Sequence, residues 1–235
     1  MTNPDSLDLY AKVEDLLGVK EASPRLYAHY LLFLQSHTFS SLLDVGCGSG
    51  DFLLQMKKAL AIEKSKGIDL SPLMVEKTLA LGCESQCINL SDEKEHYDVI
   101  TAVFDMLNYL NNKELKGFLQ EITSHLNDGG IFLCDINTLY GFENVAVGSF
   151  IVDDESRFLT IDSDFEEGEY ISEFTLFEQK VGNKKYFQKS QETIRQYLHN
   201  VKKIASHLSL TLISQDEVFL YEEEEADKLF LVFQK

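Results

Sequence analysis

Three glycines and an aspartate cluster around the end of a short apolar run, in a spacing that can hold a polar ligand. Gly46, Gly48 and Gly50 alternate after the run at 42–45, which contains Asp44. Glycine lets the backbone adopt a positive φ and allows a ligand to lie against bare main chain. A helical pattern follows, and free N–H groups at a helix N-terminus suit a carboxylate or phosphate. The stretch therefore predicts a strand, a glycine turn and a helix, the opening unit of a doubly wound α/β fold.

A second acidic residue, Asp69, ends the next predicted strand, 19 residues after Gly50. A carboxylate at that strand end can accept hydrogen bonds from both hydroxyls of a ribose. The alternative is that Asp69 only caps the following helix. Ser71 and Pro72, however, already have the residue types of an N-cap and a first helical position. The spacing therefore favours a ribose-binding role for Asp69.

The position of the third glycine separates two classes of nucleotide-binding turn. A dinucleotide-binding turn has the spacing G-x-G-x-x-G or A, but here the third glycine comes one residue early. Asp51 then takes the last small position, where a carboxylate would repel a pyrophosphate. The pattern D-x-G-x-G-x-G from Asp44 instead resembles the first motif of class I S-adenosylmethionine-dependent methyltransferases. The resemblance implies S-adenosyl-L-methionine as the cofactor.

The same resemblance implies a set of cofactor-binding residues near the ends of the first four strands. In the family, an acidic or amide residue after the third strand meets the adenine amino group. Asn89 stands there, where Asp is commoner, and its side-chain oxygen can accept that hydrogen bond. The residues implied to bind the cofactor are Asp44, Gly46, Cys47, Gly48, Gly50, Asp69, Leu70, Asn89, Leu90 and Phe104.

A polar segment, D-M-L-N-Y-L at 105–110, follows the fourth predicted strand. It is similar to a D-x-L-N-Y-L segment in a subgroup of small-molecule methyltransferases. Ligands of open α/β sheets bind outside the carboxyl ends of the strands, so this segment is expected beside the reacting methyl group. We predict Asp105 as a base or amine-orienting carboxylate, or equally as a turn cap or cofactor contact. Asn108 and Tyr109 are predicted to shape the acceptor pocket, with packing as the alternative.

The order of predicted elements indicates an α/β, Rossmann-like doubly wound sheet of seven strands, as in class I methyltransferases. An antiparallel β insertion is expected after strand five. We predict N-terminal helices and a cofactor-binding core at 1–147, the insertion as an acceptor lid at 148–197, and a closing helix and edge strands at 198–235. The resemblance implies the strand order 3-2-1-4-5-7-6. Ser23 and Pro24 predict the start of the second N-terminal helix.

The insertion is expected to contain three long strands, because helical spacing disappears from 148 to 197. Turns are predicted at Gly168 and at 181–183. In the resembling subgroup the last insertion strand carries a segment like E-x-H-x-Q-R. Ile194 and Tyr197 replace its His and Arg, which argues against a histidine-based catalytic role. We hypothesise that the insertion selects the acceptor while the first half of the chain binds the cofactor.

Composition limits the partners of this chain of 235 residues, whose formal net charge is −18. Nucleic acid and anionic membrane need a basic face, so both are unfavourable partners. No apolar run approaches the ~20 residues of a membrane span, and the start lacks the features of a signal peptide. A cytoplasmic location is expected. The four cysteines form no C-x-x-C pair, and no metal site is predicted.

Together these patterns predict a methyltransferase that moves a methyl group from S-adenosylmethionine to N or O of a small-molecule acceptor. It is expected to act as a monomer or homodimer. Two alternatives stay open at this point. The first is a non-catalytic protein that binds S-adenosylmethionine. The second is an NAD-dependent dehydrogenase, which the early third glycine and Asp51 disfavour.

Overall fold

The computed structural model describes residues 4–180, 183–221 and 224–235, which form one seven-stranded and one four-stranded sheet. The helices are α1 (Pro4–Val13), α2 (Val19–Leu34), α3 (Asp51–Ala59), α4 (Pro72–Ala80), α5 (Asn112–His125) and α6 (Val201–His207). The strands are β1 (Ser41–Val45), β2 (Lys64–Asp69), β3 (Glu84–Cys87), β4 (Tyr97–Ala102), β5 (Leu126–Asn137), β6 (Gly148–Asp153), β7 (Arg157–Glu166), β8 (Glu169–Lys180), β9 (Asn183–Tyr197), β10 (Thr211–Val218) and β11 (Lys228–Gln234).

The large sheet has the order β10-β11-β5-β4-β1-β2-β3. Its strands β1 to β5 pair in parallel, whereas β11 is antiparallel to both β5 and β10. Because β10 and β11 are its sixth and seventh strands, the predicted order 3-2-1-4-5-7-6 is confirmed. The carboxyl ends of the five parallel strands therefore meet along one edge, which is the expected ligand edge of such a sheet.

Helices cover the large sheet on both faces, which explains why its interior strand β1 is buried throughout. On one face, α5 and α6 contribute buried side chains such as Leu119 and Ile204. On the other face, α2 and α3 contribute Tyr30 and Met56. No helix in the described ranges is long and apolar enough to cross a membrane.

The second N-terminal helix begins earlier than predicted. It starts at Val19, after Gly18 with φ 67°, and Pro24 lies inside it. The prediction of Ser23 as N-cap is therefore wrong. Proline at position 24 cannot donate a backbone hydrogen bond to Lys20, and the Ser23 hydroxyl donates to that carbonyl oxygen instead, at 3.1 Å. The hydroxyl of Ser23 thus gives the carbonyl oxygen of Lys20 the hydrogen bond that Pro24, which has no N–H, cannot donate.

The insertion is an antiparallel sheet as predicted, but it has four strands, β6-β7-β8-β9, rather than three. The missed strand, β6, is only six residues long and its side chains are mostly exposed, so it lacks an alternating apolar pattern. The predicted turn at 181–183 lies mainly outside the described residues. One face of the insertion packs on α1 through a small apolar core that includes Leu9, Val13, Leu159 and Ile194. The insertion and α1 therefore form one layer.

The close packing of the glycine turn against β2 generates a stability prediction. A Cβ added to Gly67 would lie 2.6 Å from the Sγ atom of Cys47. We expect Gly67→Ala to lower the free energy of unfolding by about 1–3 kcal/mol, measured by urea unfolding, because the crowded side chain has to move.

Gly117→Ala in α5 is the matched control, because no atom lies within 4 Å of its added Cβ. It should raise stability by about 0.5–1 kcal/mol through the higher helix propensity of alanine. Equal effects of the two substitutions would contradict the packing argument.

Candidate active site

Two adjoining cavities lie at the carboxyl ends of the parallel strands, covered by α1 and the insertion. The first has a volume of about 550 Å³ and extends from the glycine turn to the end of β9. The second has a volume of about 250 Å³ and lies beside the starts of the 105–110 segment and of β11. The residues that line both cavities are Tyr10, Val19, Phe104, Tyr109 and Ile194. A molecule in the first cavity can therefore lie next to a molecule in the second, at the place where these five residues line both cavities. We call these five residues the shared wall.

The glycine turn is held in place from two sides. The backbone N–H of Gly46 donates to the carbonyl oxygen of Ile68 at 2.8 Å, and Thr78 Oγ1 donates to the carbonyl oxygen of Gly48 at 2.8 Å. Gly46, Gly48 and Gly50 have φ values of 73°, 53° and 82°. No atom lies within 4 Å of a Cβ built on Gly48. The turn is thus rigid, left-handed and open at its middle glycine.

Asp69 lines the first cavity at the end of β2, where it also supports the glycine turn. Its Oδ2 accepts from the N–H of Gly48 at 2.9 Å, and its Oδ1 accepts from the N–H of Ser71 at 2.8 Å. Burial raises the pKa of this carboxyl. An ionised carboxylate has about four acceptor sites, so one site on each oxygen remains for a diol.

The other residues predicted to bind the cofactor lie around the same space. All of them except Gly50 line the first cavity. Gly50 instead precedes α3, and a Cβ there would lie 2.7 Å from the methyl carbon of Thr78. The side-chain oxygen of Asn89 accepts from the N–H of Ser91 at 3.3 Å and caps a short 3-10 helix, Leu90–Asp92. Asn89 therefore has a structural bond in addition to its place in the cavity wall.

Asp105 lies in the second cavity, placed there by an unusual backbone. Phe104 and Asp105 have φ values of 57° and 48°, in the left-handed region that non-glycine residues rarely adopt. Both of their N–H groups donate to the carboxylate of Asp135, at 2.8 and 2.7 Å. Tyr30 donates to the same carboxylate at 2.7 Å. Asp135 is fully buried, and burial raises its pKa.

The side chain of Asp105 contacts two polar partners from distant parts of the chain. Its Oδ1 forms an ion pair with Lys228, and its Oδ2 accepts from the amide of Gln196 at 2.6 Å. It makes no side-chain cap to the short helix Met106–Tyr109 that follows it. Of the interpretations considered from sequence, capping of that turn is therefore excluded. The carboxylate is held in the cavity wall, with an acceptor site left on each oxygen.

Asn108 and Tyr109 occupy different environments. Asn108 is fully buried, donates to the carbonyl oxygen of Tyr197 at 2.7 Å and accepts from the N–H of Asn137 at 3.0 Å. It joins the ends of β5 and β9 and lines neither cavity. Tyr109 lines both cavities, hydrogen bonds with Gln196, and its pKa is raised by burial.

Asp135 and Lys228 are two residues of this site that were not predicted from the sequence. The available signal was a charged residue in an otherwise apolar strand: Asp135 follows I-F-L-C, and Lys228 precedes L-F-L-V-F. A charge in such a run is buried, and a buried charge needs a partner.

The pKa of Asp44 generates a pH prediction. Asp44 is buried and accepts from Thr101 Oγ1 at 2.7 Å, and burial raises its pKa from 3.8 to about 7. Its native pKa exceeds its unfolded value, so its contribution to stability is complete below the unfolded pKa. That contribution is lost as the pH rises through about 7.

The stabilising effect of Asp44→Asn on the urea midpoint should therefore grow between about pH 4 and pH 7 and be larger at about pH 8 than at about pH 5. The exposed Asp92→Asn is the control and should show no such pH dependence. A decrease of the midpoint in Asp44→Asn at the higher pH would contradict the assignment.

Comparisons with known proteins agree with this geometry. A family model described as a methyltransferase domain matches residues 19–181. A curated relative, an uncharacterized protein of Methanocaldococcus jannaschii, is 26% identical over 113 residues. That match covers 46% of this chain and 43% of the relative, so it spans less than half the length of the relative.

Solved structures share the fold over nearly the whole chain. They include an S-adenosylmethionine-dependent methyltransferase from Clostridium acetobutylicum, with a TM-score of 0.73, 19% identity and coverage of 97% of this chain and 96% of that chain. The sugar N-methyltransferase KedS8 from a Streptoalloteichus species has a TM-score of 0.69, 15% identity and coverage of 97% and 92%. The amino pentose methyltransferase CalS10 from Micromonospora echinaspora, solved with S-adenosylmethionine, has a TM-score of 0.64, 18% identity and coverage of 97% and 91%.

The family match argues against the alternative that this protein is an NAD-dependent dehydrogenase, and the position of the third glycine argues in the same direction. The match covers more than half of the sequence, and the strand order and the glycine turn agree with it. This chain belongs to the methyltransferase domain family and has the class I, S-adenosylmethionine-dependent fold.

Proposed function

We propose that this methyltransferase transfers the methyl group of S-adenosylmethionine to an amine nitrogen of a small-molecule acceptor. The observation that carries the proposal is the pair of adjoining cavities with a shared wall. The first cavity takes the cofactor and the second takes the acceptor. The insertion at 148–197 belongs to both, because β9 lines the two cavities. It therefore completes the cofactor site as well as the acceptor site.

The residues of the first cavity fit S-adenosylmethionine. Asp69 offers the ribose an acceptor site on each oxygen, and the open face of Gly48 lets the cofactor approach the main chain. Asn89 and Leu90 line the adenine end of the cavity. The bound cofactor supplies a sulfonium methyl group together with its own leaving group. The protein's task is to hold the acceptor nitrogen in line with that methyl group, which can supply much of the rate.

The shared wall is where the two reacting groups have to meet. Tyr10 approaches it from α1, Phe104 and Tyr109 from the end of β4, and Ile194 from β9. These side chains are aromatic or aliphatic, so they exclude water from the reacting atoms. Tyr10 and Tyr109 stay neutral because burial raises the pKa of both. We assign these two tyrosines to orienting the acceptor rather than to accepting its proton.

The second cavity favours an amine over a hydroxyl group. A hydroxyl has to lose its proton to a base during transfer, whereas an unprotonated amine already has its lone pair. Asp105 is a poor base here because Lys228 and Gln196 both bind its oxygens. None of the described residues lining this cavity is a histidine. The sugar N-methyltransferase and amino pentose methyltransferase of the same fold support an acceptor that carries an amine on a polar ring.

Loss of the Asp69 carboxylate tests the cofactor site. We expect Asp69→Ala to weaken S-adenosylhomocysteine binding by about 1.5–3 kcal/mol, measured by titration calorimetry. Part of this loss arises through the glycine turn, since Asp69 also binds Gly48. Asp69→Asn keeps one acceptor oxygen and should lose less. Asp92→Ala, which removes an exposed carboxylate at the end of the 3-10 helix Leu90–Asp92, is the control. Unchanged affinity in Asp69→Ala would refute the assignment.

Transfer of labelled methyl groups tests the reaction. Matched acceptor pairs, amino sugars and the same sugars with hydroxyl in place of amine, are incubated with the full-length protein and labelled cofactor. We expect label on the amines only. Asp105→Asn should lower the rate by about 10- to 1,000-fold while S-adenosylhomocysteine affinity changes less than about threefold. Equal labelling of the hydroxyl sugars would contradict an amine acceptor. Cofactor binding without transfer to any amine would favour a non-catalytic binding protein.

A further inference from the structure

Lys228 is a buried cation in the wall of the acceptor cavity, at the position where an acceptor ammonium would meet Asp105. We propose that Lys228 is a specificity-determining residue that makes this cavity select the uncharged form of an amine. The inference rests on the proposed function, because it concerns the charge state of the acceptor nitrogen. Lys228 does not line the first cavity and is not bonded to the glycine turn, so this role is separate from cofactor binding.

The position of Lys228 is set by backbone pairing and by three side chains around its ammonium group. It is the first residue of β11 and pairs with Asn137 at the end of β5. Its ammonium group contacts Asp105 Oδ1, lies 2.7 Å from Asn137 Oδ1 and lies 3.5 Å from Asp135 Oδ2. Two of its three donors bind Asp105 and Asn137, and its charge lies within ion-pair distance of Asp135. Lys228 therefore partly neutralises Asp105 while most of its donors are already bound.

The charges around Lys228 explain what its removal would do. The carboxylates facing it are Asp105, Asp135 and Asp227, and Asp227 accepts from the N–H of Leu220. Burial lowers the pKa of Lys228, but these carboxylates outweigh burial and raise it above its ordinary value. The remaining titratable groups that face the cluster are tyrosines, namely Tyr10, Tyr30, Tyr109, Tyr170 and Tyr221. Among the described residues that line this cavity, Lys228 is the one Lys or Arg, so without it their carboxylates would attract an ammonium strongly.

Such attraction would oppose methyl transfer. An ammonium has no lone pair, and its charge would face the positive sulfonium across the shared wall. In the productive step, the lone pair of the neutral amine forms the new C–N bond. The C–S bond breaks and its electron pair stays on sulfur. The product is a methylammonium, which loses its extra proton to solvent after release. Because Lys228 already occupies one side of Asp105, the carboxylate can accept an N–H from a neutral amine but retains the cationic product weakly.

Binding of an amino sugar at two pH values tests this role. The protein, loaded with S-adenosylhomocysteine, is titrated with glucosamine below and above the pKa of the glucosamine amine, and with glucose as the uncharged control. The parent protein should bind glucosamine more tightly above that pKa. Lys228→Met removes the charge and keeps most of the side-chain volume. It should bind glucosamine below that pKa at least about tenfold more tightly than the parent. Lys228→Arg keeps the charge and should behave like the parent.

Several outcomes overturn the proposal. One is a Lys228→Met protein, folded by circular dichroism and binding S-adenosylhomocysteine normally, that gains no affinity for the glucosamine ammonium. If that variant does not fold, Lys228→Gln answers the same question with a neutral donor to Asp105. A parent protein that binds glucosamine more tightly below the amine pKa also overturns it, without any variant. None of these results bears on the proposal that the protein methylates amines, because the labelling experiment tests that proposal separately.

Discussion

A single buried carboxylate, Asp135, holds together the wall of the second cavity. It accepts from the N–H groups of Phe104 and Asp105, from the hydroxyl of Tyr30, and lies 3.5 Å from the ammonium of Lys228. Burying an ionised carboxylate is costly unless its oxygens have partners, and here both oxygens of Asp135 have them. The two N–H bonds keep the chain in a left-handed turn at the end of β4. That turn brings Asp105 into the second cavity, although Asp135 itself does not line it.

The layer over the site belongs to the insertion and to the N-terminal segment together. The guanidinium of Arg157 binds Asp15 at 2.7 Å and Asp154 at 2.6 Å, and it donates to the carbonyl oxygen of Lys12 at 2.8 Å. This links the β6–β7 hairpin to the end of α1. On the opposite side, the hydroxyl of Ser49 in the glycine turn donates to Glu14 at 2.9 Å. The first cavity is thus closed by two parts of the chain that are bonded to each other.

The net charge of −18 describes the whole protein, but the reaction depends on the charge at one point. Excess acid makes an anionic partner unfavourable at long range. We propose that, within the second cavity, carboxylates alone would hold an ammonium and oppose the reaction. Lys228, whose side chain is only 6% exposed, lies among those carboxylates. Coulomb interactions weaken with distance and with solvent, so these groups act more strongly within the cavity than the exposed acids do.

The residues predicted to bind the cofactor could be found from the sequence, whereas the contacts in the proposed acceptor cavity follow only from the tertiary structure. The strand, the three glycines, the Ser71 cap and Asp69 lie within one short stretch, and their properties follow from local backbone chemistry. Asp105 and Lys228 lie 123 residues apart and meet only because β11 pairs antiparallel to β5. Asn108 matched a motif for the acceptor pocket, yet its side-chain amide hydrogen bonds with two backbone groups, one at the end of β9 and one at the end of β5. A pattern in one segment indicates which groups are available, whereas long-range pairing decides which partners they find.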